Sequence, residues 1–358
     1  MSKLFTPATL RELTLDNRIV VSPMCQYSSQ DGNANDWHVV NLGHMALSGP
    51  GLAFFEATHV SPEGRITDQD LGLYSDANEA AMERVVAYLR RWTNTKVGVQ
   101  LAHAGRKGST LPPWEGGGGP ASGARAYPTV APSALAYDAG WQVPAALDAA
   151  GLQKVRDDFV AAARRAERLD IDTIELHFAH GYLAHQFLSP LANHRTDAYG
   201  GSLENRMRLP LELFDAVRAV WPQHKPLGVR ISATDWVEGG WDLDQSTVFA
   251  HALKARGVDF IDCSSGGLSP QQKIAVGPGY QVPFSAHIKR AVDVTTIAIG
   301  MITDPHQAEG ILERGDADFV ALARGFLRNP RWTWDAVDAL GGESFVPPQY
   351  ARGRAPRR

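Results

Sequence analysis

The feature that most constrains the fold of this sequence is a regular alternation of short apolar runs with longer stretches of helical periodicity, which continues almost to the end of its 358 residues. The apolar runs are brief and unbroken, as is typical of parallel strands that helices cover. The predicted strands are Arg18–Ser22, Gly51–Glu56, Lys96–Leu101, Thr173–His177, Leu227–Ile231, Phe260–Ser264, Thr295–Gly300 and Phe319–Leu322. The predicted helices between and after them are Glu79–Thr93, Leu152–Leu169, Leu203–Val220, Asp244–Arg256, Pro305–Arg314 and Pro330–Leu340.

Eight strands with intervening helices favour an α/β fold of one closed (β/α)8 barrel, the TIM barrel. A doubly wound sheet is the alternative, but it usually opens with a glycine-rich phosphate loop after its first strand. Here the residues that follow the first strand, from Pro23 to Tyr27, include no glycine. Neither an internal repeat nor a linker interrupts the chain, so we expect a single domain over residues 1–358.

Composition narrows the classes of partner and compartment. The formal charge of −4 is close to balance, so neither nucleic acid nor an anionic membrane is the expected partner. No apolar run approaches the roughly 18–20 residues of a membrane span, and no basic region precedes an apolar stretch at the N-terminus. Two cysteines, Cys25 and Cys263, are too few for a disulfide framework or a four-cysteine metal site. These features predict a cytoplasmic protein.

Two segments depart from the alternation. Ala104–Asp148 is long and rich in glycine and proline, which is typical of a functional loop or lid, and its run Gly116–Gly119 lacks the spacing and the following helix of a phosphate cradle. The second segment is the tail, Val346–Arg358, which contains four arginines. On its own, such a tail indicates a solvated chain end.

Functional residues of a TIM barrel lie at the C-terminal ends of its strands. After the fourth predicted strand come His177, His180 and Tyr182. Histidines three residues apart in a turn point to one side, where both can donate to a single carbonyl oxygen and stabilise the charge that develops as hydride adds to an enone. Tyr182 can then protonate the α-carbon. Two alternatives stay open: a metal site that adds Glu175, as in a metal-dependent lyase, and a structural role for the histidine pair.

Basic and small residues follow other strands. Arg230 ends an apolar strand, where a charge needs a partner such as an anionic ligand. Arg324 follows the eighth predicted strand, where barrels commonly bind phosphate, and Gly300 lets the backbone approach such a group closely. Gln100 can make two hydrogen bonds to an amide-like edge such as a flavin pyrimidine. Cys25 alone is most simply a small buried apolar side chain.

Motifs along nearly the whole chain, in order, resemble the old yellow enzyme family of FMN-dependent ene-reductases. The similarity is greatest to the bacterial branch with a cysteine beside the flavin, which includes YqjM-like and xenobiotic-reductase-like enzymes. The motifs that carry it are Leu4-Phe5, Asn17-Arg18, Ser22 to Tyr27, Gln100 to Lys107, Glu175 to Leu183, Phe187 to Pro190, Asn193 to Asp197, Tyr199 to Ser202, Asn205-Arg206, Gly300 to Thr303, Ala323-Arg324 and Gln349 to Gly353.

The resemblance implies a cofactor, a reaction and a set of roles. FMN, tightly but not covalently bound, would contact Ser22, Pro23, Met24, Cys25, Ala57, Gln100, Arg230, Gly300, Ala323 and Arg324. Cys25 would lie beside the isoalloxazine and tune its potential, His177 and His180 would anchor the substrate's oxygen, Tyr182 would donate the proton, and Tyr27 would contact the substrate.

The same resemblance implies an assembly and a kinetic scheme. Arg352 would reach into a neighbouring subunit's site, so we expect a homodimer or homotetramer. NADPH or NADH would reduce the flavin and leave before the small electrophilic alkene enters, which gives ping-pong kinetics. No metal is implied. The long loop Ala104–Asp148 leaves the substrate preference open.

Overall fold

Eight parallel strands close into a barrel in the structure, a computed structural model that describes residues 2–353. The barrel strands, in their order around the barrel, are β3 (Ile19–Val21), β4 (Leu52–His59), β5 (Lys96–Ala102), β8 (Thr173–Phe178), β9 (Leu227–Ser232), β10 (Phe260–Ser264), β11 (Thr296–Ala298) and β12 (Phe319–Leu322). The last strand, β12, pairs back onto β3. The predicted (β/α)8 barrel is confirmed, and each predicted strand overlaps one of these eight.

Helices follow the strands and cover the outside of the barrel. They are α1 (Asp36–Ala46), α2 (Asp76–Trp92), α3 (Ala149–Arg168), α4 (Leu183–Leu188), α5 (Leu203–Val220), α6 (Leu243–Ala255), α7 (Val282–Val292), α8 (Pro305–Glu313), α9 (Arg324–Arg328) and α10 (Trp332–Leu340). Six begin after a side chain that caps the first turn, as in α3, where Asp148 accepts from the amide of Gly151.

The sequence patterns did not predict α1, α4, α7 or α9. Every residue of α4 is buried, so its sequence has no polar face to reveal a helical period. In α1 the apolar side chains lie on both faces, because Trp37 and Val40 are exposed while Leu42 and Met45 are buried. The amphipathic signal is therefore weak in both helices.

A β-hairpin closes the N-terminal end of the barrel. Its strands, β1 (Ala8–Leu10) and β2 (Leu13–Leu15), pair antiparallel ahead of the first barrel strand. The hairpin side chains Leu10 and Leu15 are buried against inward-facing barrel residues, with Phe54 and Phe260 the largest of them. The barrel is therefore filled and sealed by apolar side chains at this end.

The long segment between β5 and α3 is ordered around a small sheet and three short 3₁₀ turns. Its strands, β6 (Val130–Ala131) and β7 (Ala145–Ala146), pair in parallel, and the glycine run forms one of the turns. Arg125 of this segment forms ion pairs with Asp68, in the loop after β4, and with Glu115, in the segment itself. The ion pair with Asp68 joins the long segment to the loop after β4. Among residues 2–353, no helix is both long and apolar enough to cross a membrane; the cytoplasmic location stays a prediction.

Candidate active site

A cavity of about 400 Å³ opens at the C-terminal end of the barrel. It brings together the predicted residues His180, Arg230, Gly300, Ala323 and Arg324, which follow or end four different strands. Its other lining residues are Ser264, Ser265, Gly267, Gln272, Ile274, Tyr280, Gln281, Ile299, Met301, Ile302, Thr303, Ala321 and Gly325. Most of these lie in the loops after β10 and β11, where short polar and glycine-rich stretches gave no signal beyond that of a loop.

The two histidines and Tyr182 form one cluster after β8. The Nδ1 of His180 lies 3.3 Å from the Nε2 of His177, and the ring of His177 lies 5.1 Å from that of Tyr182, edge to face. His177 is buried, whereas the other two side chains are half-buried. An oxygen that inserted between the two facing nitrogens could accept from both rings if each carried its proton there. The structure brings the two imidazole rings and Tyr182 together, and their role in anchoring a substrate oxygen stays a prediction.

Burial fixes the protonation states of this cluster. It lowers the pKa of His177 and of His180 well below the usual value, and the nearby Arg230 lowers them further. Both imidazoles are therefore neutral near pH 7, and each ring has one N–H to donate. Burial, together with Cys25, raises the pKa of the Tyr182 phenol well above its ordinary range. Tyr182 thus holds its proton until a basic atom approaches.

Arg230 already has a carboxylate partner inside the barrel, which the sequence argument did not foresee. Its Nε lies 3.4 Å from the carboxylate of Asp262 and donates to the hydroxyl of Ser264 at 3.0 Å. Its Nη1 donates to the hydroxyl of Ser22 at 3.2 Å. An anionic ligand is therefore not needed to balance the charge. A buried carboxylate in the apolar run Phe260–Ser264 was the signal that could have identified this partner.

A second buried polar pair lies near the first. Gln100 donates from its amide nitrogen to the carboxylate of Glu175 at 2.6 Å, and both side chains are buried. Because its nitrogen is used in this way, Gln100 has its amide oxygen free to accept from a ligand. Burial, with the neighbouring Asp262, raises the pKa of Glu175 to about 8, although Arg230 opposes the shift.

The metal-site alternative finds no support in this geometry. Glu175 is bonded to Gln100 and not to either histidine. Within the described part of the chain, no three histidine, cysteine or acidic side chains are grouped as metal ligands. The lyase reading is therefore not favoured.

The end of the cavity near β11 and β12 suits an anionic group. Arg324 is exposed there, and residues 2–353 offer it no ion-pair partner. Gly300 has a φ of 128°, and a Cβ on it would lie 3.1 Å from Gln281. This glycine thus keeps the backbone open to a close approach. A guanidinium without a carboxylate partner, beside the cavity-lining backbone of Gly300 and Gly325, fits the phosphate of FMN, whereas Gln100 is buried and is not among the lining residues.

The residues after β3 line the mouth of the barrel as a half-buried run. Pro23 and Met24 lead into Cys25. Burial raises the pKa of Cys25 well above its usual value, and Asp70 and Glu56 raise it further, so the neutral thiol prevails although the nearby Ala57 and Tyr27 act in the opposite direction.

Tyr27 is bracketed by residues from other segments. Its ring meets the exposed ring of Trp114, from the long loop, at 5.7 Å. Burial raises the pKa of Tyr27 above its ordinary range, with further contributions from Cys25 and Tyr182. Cys25, Tyr27 and Tyr182 therefore share one electrostatic environment, and the long loop supplies part of its outer wall.

Two predicted or possible sites lie elsewhere. Arg352 is exposed in a 3₁₀ turn, Pro348–Gly353, and is not among the residues of its own chain's cavity. The tail's other arginines lie outside the described residues.

A groove of about 780 Å³ between α7 and α8 is larger than the cavity, but its charged residues Arg290 and Arg314 are paired with Asp316. We therefore place the site at the barrel mouth.

Comparison with known proteins gives the family. The profile of the NADH:flavin oxidoreductase / NADH oxidase family matches residues 3–340. An NADPH dehydrogenase of Bacillus subtilis (strain 168) is 44% identical over 353 residues, which cover 98% of this chain and 99% of that protein.

Solved structures agree. Morphinone reductase superposes with a TM-score of 0.79 at 28% identity, over 97% of this chain and 92% of its own. A 2-naphthoyl-CoA reductase superposes with a TM-score of 0.85 at 21% identity, over 95% of this chain but 52% of its own, and shows likeness of fold alone. The chain therefore belongs to the NADH:flavin oxidoreductase / NADH oxidase family, the family of the old yellow enzymes, whose cofactor is FMN.

Proposed function

We propose that this chain is an NADPH-driven ene-reductase, which reduces the activated C=C bond of α,β-unsaturated aldehydes and ketones, maleimides and nitro compounds. The observation that carries the proposal is that Arg324, Arg230 and His180 line one cavity. His180 in turn contacts His177, beside Tyr182. A cationic end for a phosphate and a hydrogen-bonding end for a carbonyl oxygen are thus within one site.

The residues that would hold FMN fit its three parts. Arg324, with the backbone of Gly300 and Ala323, suits the phosphate. Gln100 and Arg230 suit the polar edge of the ring system, together with Ser22. The half-buried run Pro23, Met24 and Cys25 and the neighbouring Ala57 suit the flat face, with Cys25 as a neutral thiol beside it.

The chain's own residues then provide the chemistry around the cofactor. FMN, when bound, supplies the transfer of hydride from the nicotinamide to the β-carbon of the alkene. His177 and His180 donate to the carbonyl or nitro oxygen and stabilise the negative charge that develops on it. Tyr182, which is protonated in the resting enzyme, delivers its proton to the α-carbon. Tyr27 contacts the substrate from the side of the long loop.

The use of one cavity by both reactants leads to ping-pong kinetics. The nicotinamide and the alkene each need the space above the flavin face and beside the histidines, so NADPH must leave before the alkene enters. Double-reciprocal plots at several alkene concentrations should therefore give parallel lines. Intersecting lines would require both reactants to be bound together.

The experiment that tests the function is a spectrum followed by a turnover assay. Purified protein should show a flavin spectrum, and NADPH oxidation without oxygen should require an acceptor such as 2-cyclohexenone. A preparation that stays colourless after FMN addition contradicts the cofactor site. A flavin-loaded protein that oxidises NADPH but leaves 2-cyclohexenone unreduced contradicts the ene-reductase assignment.

We further propose that the active unit is a homodimer or homotetramer in which Arg352 reaches a neighbouring cavity. Its support is the position of Arg352, which is exposed and away from its own chain's cavity. Arg352→Ala should raise the Michaelis constant for the alkene in an oligomer. A fully active monomer would rule out this role.

A further inference from the structure

The side chain of Lys107 bridges two turns at the mouth of the barrel. It follows β5 in the 3₁₀ turn Gly105–Lys107, and its ammonium donates to the carbonyl of His180 at 2.9 Å and to that of Gly267 at 2.7 Å. The first carbonyl belongs to the turn that carries the histidine pair, and the second to the loop after β10. Lys107 thus ties together three segments that follow different strands.

The two turns joined by Lys107 pack at backbone distance. His180 has a φ of 56°, which is uncommon for a residue with a side chain. A Cβ on Gly181 would lie 2.2 Å from the carbonyl oxygen of Gly267, and a Cβ on Gly267 would lie 2.5 Å from the Cα of His180. The two backbone segments therefore have little room to shift against each other. The hydrogen bonds from Lys107 to both carbonyls help to orient the side chains of His180 and Tyr182.

The charge of Lys107 lies beside an aromatic pair and not beside a carboxylate. Its ammonium is 5.2 Å from the ring centre of Tyr182 and 4.9 Å from that of Tyr137. Residues 2–353 provide no ion-pair partner for it. An ammonium without a counter-charge is available to stabilise a negative charge that forms on a neighbouring ring.

We propose that Lys107 is a positioning residue for proton delivery, which orients the turn of His180 and Tyr182 and stabilises the phenolate that Tyr182 becomes. This inference rests on the proposed function, in which Tyr182 is the proton donor. In the step concerned, the O–H bond of Tyr182 breaks and the electron pair of the substrate enolate forms the new C–H bond at the α-carbon. The phenolate regains a proton from water, and Lys107 keeps its own three protons throughout.

The titration of Lys107 gives the proposal a pH signature. Burial and, to a smaller extent, the adjacent Arg106 together lower the pKa of Lys107 to about 8. Because the shift is downward, the ammonium is charged at pH 7 and loses its charge as the pH rises through about 8. The titratable or charged groups around it are Arg106, Tyr137, His177, His180, Tyr182 and Arg230.

The experiment separates the two half-reactions in the FMN-loaded enzyme by stopped flow. Lys107→Met should slow the reoxidation of the reduced flavin by 2-cyclohexenone about tenfold, because one pKa unit of phenolate stabilisation corresponds to about that factor. The limiting rate of flavin reduction at saturating NADPH should stay within about twofold, because that step needs no proton from Tyr182. The wild-type reoxidation rate should fall above about pH 8, Lys107→Met should lack that fall, and Lys107→Arg should move it to higher pH.

A second readout does not depend on turnover. Calorimetric binding of 4-nitrophenol, an oxygen ligand for the histidine pair, should weaken several-fold in Lys107→Met and recover in Lys107→Arg. Lys225→Met is the matched control, since Lys225 also donates to a carbonyl, at 2.9 Å, and lies over a ring, at 5.4 Å from the centre of Trp221. It contacts Asp170 and lies away from the cavity, so both half-reactions should keep their wild-type rates.

The possible results separate a failure of the role proposed for Lys107 from a failure of the proposed function. If Tyr182→Phe slows reoxidation but Lys107→Met does not, Lys107 has no part in proton delivery and the proposed function stands. If Tyr182→Phe itself keeps the wild-type rate, the donor assignment fails and the role of Lys107 fails with it. Should Lys107→Met not fold, Lys107→Arg and the wild-type pH profile still decide. A wild-type rate that is flat through pH 8 overturns the proposal.

Discussion

The two ends of the barrel differ in the side chains that line them, which are apolar and buried at one end and polar and accessible at the other. At the N-terminal end, the β1–β2 hairpin covers an apolar interior in which Leu15, Val20 and Phe260 are almost completely buried. At the C-terminal end, a cavity of about 400 Å³ exposes Arg324 and the half-buried His180. The difference teaches that one end carries stability and the other carries chemistry, which is the division expected of this fold.

A polar layer separates the two ends inside the barrel. Arg230 and Asp262 form one pair in it, and Gln100 and Glu175 form the other. Buried charges of this kind are expensive unless paired, and they contribute little net stability even when paired. Their position beneath the cavity suggests that the layer supports the site at some cost to the fold. Variants in the polar layer, at the sealed end and in the cavity should therefore differ in how much they change the free energy of unfolding and how much they change FMN binding.

The largest effect is expected in the polar layer. Arg230→Leu leaves the buried carboxylate of Asp262 without its cation, which typically costs about 3–5 kcal/mol in the free energy of unfolding. FMN binding should be lost as well. Denaturant unfolding and flavin titration measure the two effects separately.

The double variant Arg230→Leu with Asp262→Leu is the control. Replacement of a buried pair by apolar side chains is often neutral, so most of the stability should return. FMN binding should not return, because the guanidinium is still absent. If FMN affinity recovers together with stability, Arg230 has a structural role only, and the polar layer contributes to folding and not to FMN binding.

The next largest effect is expected at the sealed end. Leu15→Ala removes a fully buried side chain of the hairpin and should cost about 2–5 kcal/mol in unfolding free energy. Once the reduced stability is taken into account, FMN affinity and turnover should match the wild type. Thr14→Ala, at an exposed position of the same hairpin, should change stability by less than about 0.5 kcal/mol. A loss of flavin affinity in folded Leu15→Ala would show that the two ends are coupled.

The third effect is expected at the open end alone. Arg324→Ala should weaken FMN binding by about 1.5–3 kcal/mol, or roughly 10- to 150-fold, the usual contribution of hydrogen bonds to a charged group. The stability of the flavin-free protein should hardly change, because Arg324 is exposed. Arg328→Ala, another exposed arginine of the short helix α9, is the matched control and should bind FMN normally. Equal affinities for all three proteins would remove the phosphate site from this end.

The sequence predicted the barrel well, because periodicity and short apolar runs report burial directly. It also predicted that His180, Arg230 and Arg324 meet, since the ends of parallel strands converge on one face. What it did not predict depends on pairing between distant strands. The partnership of Arg230 with Asp262 requires the register of β9 against β10, and the role proposed for Lys107 requires the crossing of two turns. The acid in the apolar run Phe260–Ser264 indicates a buried charge, but the sequence does not show which residue pairs with it, and the contacts of Lys107 leave no local pattern.

The smallest effect is a pH dependence that begins in the polar layer. The folded-state pKa of Glu175 is raised to about 8 from an ordinary value of 4.5, so this carboxyl favours the folded state while protonated. Its contribution is fully present below pH 4.5 and is lost as the pH rises through about 8. One proton gives a slope of at most about 1.4 kcal/mol per pH unit, and Asp262, whose pKa is also raised by burial, contributes to the same decline.

Glu175→Gln should therefore flatten the decline in unfolding free energy between pH 6 and pH 8, and should be more stable than the wild type at the upper end of that range. Denaturant titrations at a series of pH values, at constant FMN concentration, measure the slope. Asp262→Asn is the companion variant, because removal of the neighbouring charge should lower the pKa of Glu175 and move the same decline to lower pH. If Glu175→Gln keeps the wild-type slope, the carboxyl is not protonated in the folded protein, and the polar layer costs the fold less than its buried charges imply.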